Sequence, residues 1–188
     1  PKDGSTQIDR CVTYNYQERV WTTSSLDRTT YQDQGVFIKP YATDYEATTA
    51  PVFPDILGIT NLYGASIYYA HETGNDQVNS SGRTSINAFI RSGDFDIDDG
   101  ELFMSMRRFM PDYKFLVGNS KVTLFISDYP SDAQSGSPLG PFTITTTTDK
   151  VDTRARGRLL SLKIENDAAG ETWRYGSFRM DAQPDGRR

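Results

Sequence analysis

The chain is poor in chemically versatile residues, with one cysteine, one histidine and two tryptophans. With Cys11 alone, no intrachain disulfide can form, and no four-thiolate metal cage can be built from this chain. Disulfide-stapled miniproteins and zinc fingers are thereby excluded. A positive charge surplus is also missing. The 25 acidic side chains outnumber the 20 basic ones for a net charge of −5, and such a surface as a whole repels nucleic acid. A dedicated DNA-binding protein is not expected. No apolar run approaches the ~20 residues a membrane helix needs, so no membrane-spanning segment is expected. Walker, dinucleotide, zinc-protease and kinase motifs do not occur.

What fills the 188 residues is β-forming material: 20 Thr, 16 Ser, 11 Tyr and 10 Phe, with 36% hydrophobic residues overall. β-Branched and aromatic residues far outnumber Ala, Leu, Glu and Lys, so the class read from composition is all-β. The chain is long enough to bury a core without staples. It opens at Pro1 on the turn-like Lys2-Asp3-Gly4-Ser5, without a methionine, and is read as a piece of a longer protein.

Local patterning divides the chain in two. Val12, Tyr14 and Tyr16 alternate, Gln17-Glu18-Arg19 makes a polar turn, and Val20-Trp21-Thr22-Thr23 returns, which predicts a hairpin. Short β runs follow at Val36-Phe37-Ile38 and Ser66-Ile67-Tyr68-Tyr69-Ala70, punctuated by Gly35, Pro40, Pro51, Pro54, Gly58 and Gly64. Residues 1–82 read as propeller-like hairpins amounting to partial blades, too few to close a propeller. The polar stretch from Glu72 to Gly82 is the predicted border.

Residues 83–188 hold about six predicted strands, the count of a β-sandwich. Ile86, Ala88 and Ile90 share one parity and Phe95 and Ile97 the other, so a bulge at Gly93 is needed to keep one buried face. Glu101 to Met110 fits both a strand and a helical stripe, and the strand is favoured by its neighbours. Lys121 to Ser127 alternates cleanly, with Val122, Leu124 and Ile126 inward. Ser131 to Pro141 reads as a loop before a Phe142–Thr145 strand. Val151 to Ile164 and Glu171 to Met180 read as two long strands joined by a turn at 165–170.

Four groups of residues invite a chemical reading. Asp94, Asp96, Asp98, Asp99 and Glu101 supply the oxygens that hard cations prefer, but the spacing does not fit an EF-hand. Asp98-Asp99-Gly100 therefore reads as a hairpin turn. His71 beside Glu72 has the makings of a general base, yet no nucleophile motif accompanies it. No catalytic residue, metal or cofactor is expected. Arg154, Arg156 and Arg158 recur at period two, which puts three guanidinium groups on one strand face. Residues 150–188 carry nine basic against six acidic groups, a local surplus of three that leaves −8 elsewhere. The three arginines are read as an interface ladder to an acidic surface, with phosphate contact and a merely solvated face as alternatives. Tyr14, Tyr68, Tyr69 and Trp173 are possible stacking platforms for a glycan.

The run Lys150-Val151-Asp152-Thr153-Arg154-Ala155-Arg156-Gly157-Arg158, with Leu160 to Glu165, Trp173-Arg174-Tyr175-Gly176 and Asp185-Gly186-Arg187-Arg188, resembles the end of a tail protein of short-tailed bacteriophages. Val12 to Trp21 and Ser92 to Gly100 extend that resemblance, which points to the tail nozzle or tail hub group, also called tail tubular or DNA-stabilisation proteins. It implies a non-enzymatic virion component, the C-terminal portion of a longer subunit. Its implied partners are copies of itself in a hexameric ring, the portal and adaptor, and tail fibre proteins. Double-stranded DNA would pass through the ring without sequence specificity. The alternative from another class is a β-sandwich module that binds a ligand or glycan.

Overall fold

The structure, a computed structural model, describes residues 9–25, 28, 30–36, 38–46, 65–79, 82–130, 138–166 and 168–187, of which 44–46, 65–69 and 76–79 are described by backbone alone. The fold is all-β, and no α-helix occurs among the described residues. None of the described residues forms a helix long and apolar enough to cross a membrane.

The chain forms two compact units, one of residues 1–72 and 76–83, the other of residues 73–75 and 84–188. In the first unit, β1 (Arg10–Asn15) and β2 (Val20–Ser25) make the predicted hairpin, with Tyr14 opposite Trp21. Its turn is set locally. The Asn15 side-chain oxygen accepts from the backbone N–H groups of Gln17 and Glu18 at 3.1 and 3.2 Å, and Arg19 takes a positive φ of 56°. β3 (Thr30–Gln32), β4 (Tyr41–Glu46) and β5 (Ala65–Ala70) form a three-stranded antiparallel sheet. A propeller blade has four strands, and the described sheets of the first unit have two or three. Of the strand expected at 36–38, Val36 and Ile38 lie in bends, 93% and 86% exposed. Phe37, Pro51, Pro54, Gly58 and Gly64 lie outside the described residues.

The chain crosses between the units after residues 72, 75 and 83, so the polar stretch is no bare linker. β6 (Asn75–Asn79) pairs with β7 (Gly82–Ser85). Residues 73–75 belong to the second unit because Gly74, at φ +81°, accepts a bond from Gly170 N at 3.0 Å. A Cβ at Gly74 would stand 2.8 Å from Thr172 Cγ2, so only glycine fits.

The second unit contains β8 (Phe89–Arg91), β9 (Met104–Val117), β10 (Ser120–Ser127), β11 (Leu139–Ile144), β12 (Val151–Gly157), β13 (Leu159–Glu165) and β14 (Thr172–Pro184). They form a four-stranded sheet in the order β11-β10-β13-β8 and a three-stranded sheet in the order β12-β9-β14. One core unites the two sheets: Met104, Met106, Phe109 and Ala155 from the three-stranded sheet meet Val122, Leu124, Ile144, Leu160, Leu162 and Ile164 from the four-stranded one. Burying each large side chain contributes roughly 1.5–3 kcal/mol. At the centre, Phe109 is fully buried, stacked on Phe178 at 5.3 Å between centroids and edge-on to Phe142 at 5.6 Å.

Every connection from β8 onward except β10 to β11 passes from one sheet to the other. This corrects three expectations. Val151 to Ile164 is not one strand, because the chain leaves β12 at Gly157 and enters the other sheet as β13. Residues 165–170 do not close a hairpin, since β14 pairs with β9 and not with β13. Asp98-Asp99-Gly100 is a turn, with φ of 58°, 53° and 76°, but it carries the chain between sheets and joins no hairpin. Leu139–Pro141, read as loop, already belongs to β11, while 131–137 lie outside the described residues.

Two readings match the observed strands. Of the 101–110 run, residues 104–110 are strand, and β10 buries Val122 and Leu124 with Ile126 packed against the core in part, while Thr123 on the other face is buried too. The Gly93 bulge is present as one extra residue. Ile90 faces Ile164, but Phe95 faces Leu160, where unbroken pairing would place Asp94. The face it aligns is buried only in part, since Phe95 and Ile97 pack on the core while Ile86 and Ile90 stay 41% and 50% exposed at the sheet edge.

Candidate functional site

The period-two arginines do not form one row. β12 is opposed to β9, and between Asp152 and Ala155 the register shifts, so that Thr153 and Arg154 together face the single residue Arg107. Arg158 falls beyond the end of β12. The bulge and the exit at Gly157 split the set.

Arg156 and Arg158 come together over one ring. Their guanidinium carbons lie 4.2 and 4.9 Å from the Phe103 centroid, and Arg158 is also 5.6 Å from that of Tyr129. Arg156 Nε donates to Asp185 Oδ2 at 2.6 Å, and an Arg158 terminal nitrogen donates to the Arg187 carbonyl at 3.3 Å. Phe103 is locked in turn by a backbone pair, its N–H donating to Gly186 O at 2.8 Å and its carbonyl accepting from Asp185 N at 2.7 Å. Two of the three arginines therefore hold the chain's own 185–187 segment. Arg154 remains exposed beside the bulge. There an open cleft of about 810 Å³ is lined by Ser105, Met106, Arg107, Asp152, Thr153, Arg154, Ala155 and Arg156. Met106 and Ala155 close it from the core side. The sequence reading missed Phe103, Asp185 and Arg107, because each meets its arginine only through strand pairing across more than 25 residues. The alternating Ser105-Met106-Arg107 pattern was the available signal for Arg107.

Among the described residues, the acidic run pairs with an arginine at Glu101 alone, whose Oε2 lies 3.4 Å from an Arg187 nitrogen. Among the described residues no three His, Cys, Asp or Glu side chains converge as metal ligands would.

In the first unit, the two Glu72 oxygens accept from Lys39 Nζ and from Arg83 Nε, the latter at 3.0 Å. The hydrogen bond from Lys39, then that from Arg83, holds the carboxyl below its ordinary value of 4.5. The His71 ring lies edge-on to Tyr31 at 5.5 Å.

The aromatic platforms also separate. Tyr14 is exposed and leans on Trp21, ring centroids 4.5 Å apart. The side chains of Tyr68 and Tyr69 lie outside the described residues. Trp173 is no platform: half-buried against the core, it donates its indole N–H to Asn166 at 3.0 Å.

No known family model matches this chain, and no curated protein resembles it significantly.

Proposed function

We propose that this chain is a non-enzymatic structural element that works by fitting against other protein surfaces. The observation that carries the reading is the β1–β2 ribbon, on one face of which Val12, Tyr14 and Trp21 are 45–67% exposed. A two-stranded ribbon is marginal by itself, and contiguous exposed apolar surface marks an interaction site.

More particularly, we read the chain as part of the nozzle or hub ring in the tail of a short-tailed bacteriophage. Its first unit would be propeller-like and its second a β-sandwich. The ring would be a hexamer that extends the DNA channel, retains the packaged genome and lets it pass on infection. The resemblance of the 150–188 and 92–100 runs supports this, and the net charge of −5 suits a wall to which DNA must not adhere. The test is electron microscopy and native mass of the complete gene product. A sixfold ring with a central channel is the expected result, and a monodisperse monomer, or turnover of a small molecule, would overturn it.

The exposed Tyr14–Trp21 pair favours a second reading, a glycan-binding module in which stacked rings receive a sugar face. Saturable glycan binding that Trp21→Ala abolishes would select this alternative.

A further inference from the structure

The carboxylates around the bulge between β9 and β12 are already engaged. Asp152 lies 3.6 Å from Arg108 and 3.7 Å from Lys150, Asp181 lies 3.7 Å from Arg108, and Asp185 is bonded to Arg156 at 2.6 Å. Among the described residues, five cations, Arg107, Arg108, Lys150, Arg154 and Arg156, stand against these three carboxylates. The surplus of two falls on Arg107 and Arg154, which have no ion-pair partner among the described residues. Both are exposed, and both line the cleft described above.

The register explains why the surplus gathers there. Arg107 is the residue that confronts two on β12, and it is also extra relative to β14, where Met106 faces Ala182 and Arg108 faces the adjacent Asp181. A bulge leaves one residue out of the ladder and re-aims its neighbours. The strand distortion coincides with a concavity lined by Arg107 and Arg154 together with Ser105 and Thr153.

We propose that this cleft is a binding site for a phosphate-bearing anion. A phosphate monoester carries a charge of about −1.5 to −2 near neutral pH, which matches the two uncompensated arginines, whereas a single carboxylate would neutralise only one. Each guanidinium can take two phosphate oxygens through parallel N–H bonds, a geometry chloride cannot exploit. The site does not depend on the tail reading: free phosphate or a phosphate monoester supplies the matching charge by itself, whereas a DNA backbone, with one charge per phosphodiester, would need two neighbouring phosphates to do the same.

The test follows the arginine Nε–Hε signals of this chain by NMR during titration with inorganic phosphate, at constant ionic strength in chloride. Saturable shifts at Arg107 and Arg154, with Arg91, held over Phe125 at 4.1 Å, unmoved, are expected. Arg154→Gln should weaken binding by about fivefold or more through loss of a charge-assisted fork, and Arg154→Lys should recover only part of it. An unchanged Trp173 indole signal checks that each variant is folded. Anisotropy with a short DNA duplex identifies the source. Duplex binding whose salt slope drops by about 0.9 on Arg154→Gln supports backbone phosphates as the ligand, and phosphate binding without duplex binding supports a free phosphate. No saturable shift with either ligand, or undiminished binding in Arg107→Gln/Arg154→Gln, would overturn the proposal.

Discussion

Gly157 and Ile126 touch so closely that a Cβ on the glycine would stand 2.2 Å from Ile126 Cγ2 and 3.2 Å from the Ser127 carbonyl. The contact lies where the chain leaves one sheet for the other, and Arg158 N donates to Ser127 O at 3.1 Å just beyond it. Ile126 is β-branched, so the clashing methyl cannot swing away without a change of rotamer. Gly157→Ala should therefore lower stability by about 1–3 kcal/mol, as overpacking does. Urea unfolding of the single variants and of Gly157→Ala/Ile126→Ala should show strong coupling, because removing Cγ2 relieves the clash. Additive losses would count against this account.

Asn166 ties three segments together. Its side chain donates to the Ile86 carbonyl at 3.0 Å and accepts from the Trp173 indole at 3.0 Å, while its backbone N–H donates to Ala88 O at 3.1 Å. It is 3% exposed, so no water replaces these bonds freely. Asn166→Ala should cost about 1–3 kcal/mol for each buried group left unpaired. Denaturant titration measures the loss, and the shifted Trp173 indole signal locates it.

Two half-buried tyrosines differ in their bonding. The Tyr113 hydroxyl is 2.5 Å from Ser120 Oγ, whereas the Tyr175 hydroxyl has no hydrogen-bond partner among the described residues. Tyr113→Phe should lower stability by about 1 kcal/mol, and Tyr175→Phe should leave it unchanged or raise it slightly. Burial pushes both phenols above their ordinary value of 10, most for Tyr175, where Tyr113 and Asp112 add to the effect. Both favour the neutral folded form. Their contribution is complete below the unfolded value of 10 and is lost as pH rises through the folded values. Alkaline absorbance titration should find these two phenols ionising only above the ordinary value of 10.

Glu72 gives the first unit an acid-side dependence. Because Lys39 and Arg83 lower its folded value, its contribution is present above 4.5 and fades as pH falls through the folded value. Following the Glu72 carboxyl carbon by NMR should give a midpoint below 4.5, which Lys39→Met should move back toward 4.5. High salt should shrink the difference, since the pair is partly exposed.

The 185–187 segment depends on Arg156. Losing its bond to Asp185 and its place over Phe103 should free that segment while the core stays folded. Each exposed contact contributes about 0.5–1 kcal/mol. Arg156→Ala should therefore speed trypsin cleavage at Arg187 with little change in the unfolding midpoint. An unaltered cleavage rate would show that the backbone pair with Phe103 suffices.

Composition and local alternation determined a good deal of this protein. They specified the all-β class, the ribbon around Gln17-Glu18-Arg19, the inward side of β10 and the extra residue near Gly93, because side-chain period and turn chemistry act over a few residues. Which strand lies beside which was decided only by tertiary structure. Val151 to Ile164 alternates almost without interruption, yet Gly157 sends its halves into different sheets, and β14 takes β9 as its partner over a gap of more than 50 residues. The fate of the arginines followed from that pairing. A spacing of two put Arg154, Arg156 and Arg158 on one side in principle, but the bulge opposite Arg107 and the reach to Phe103 and Asp185 are non-local contacts that no local period encodes.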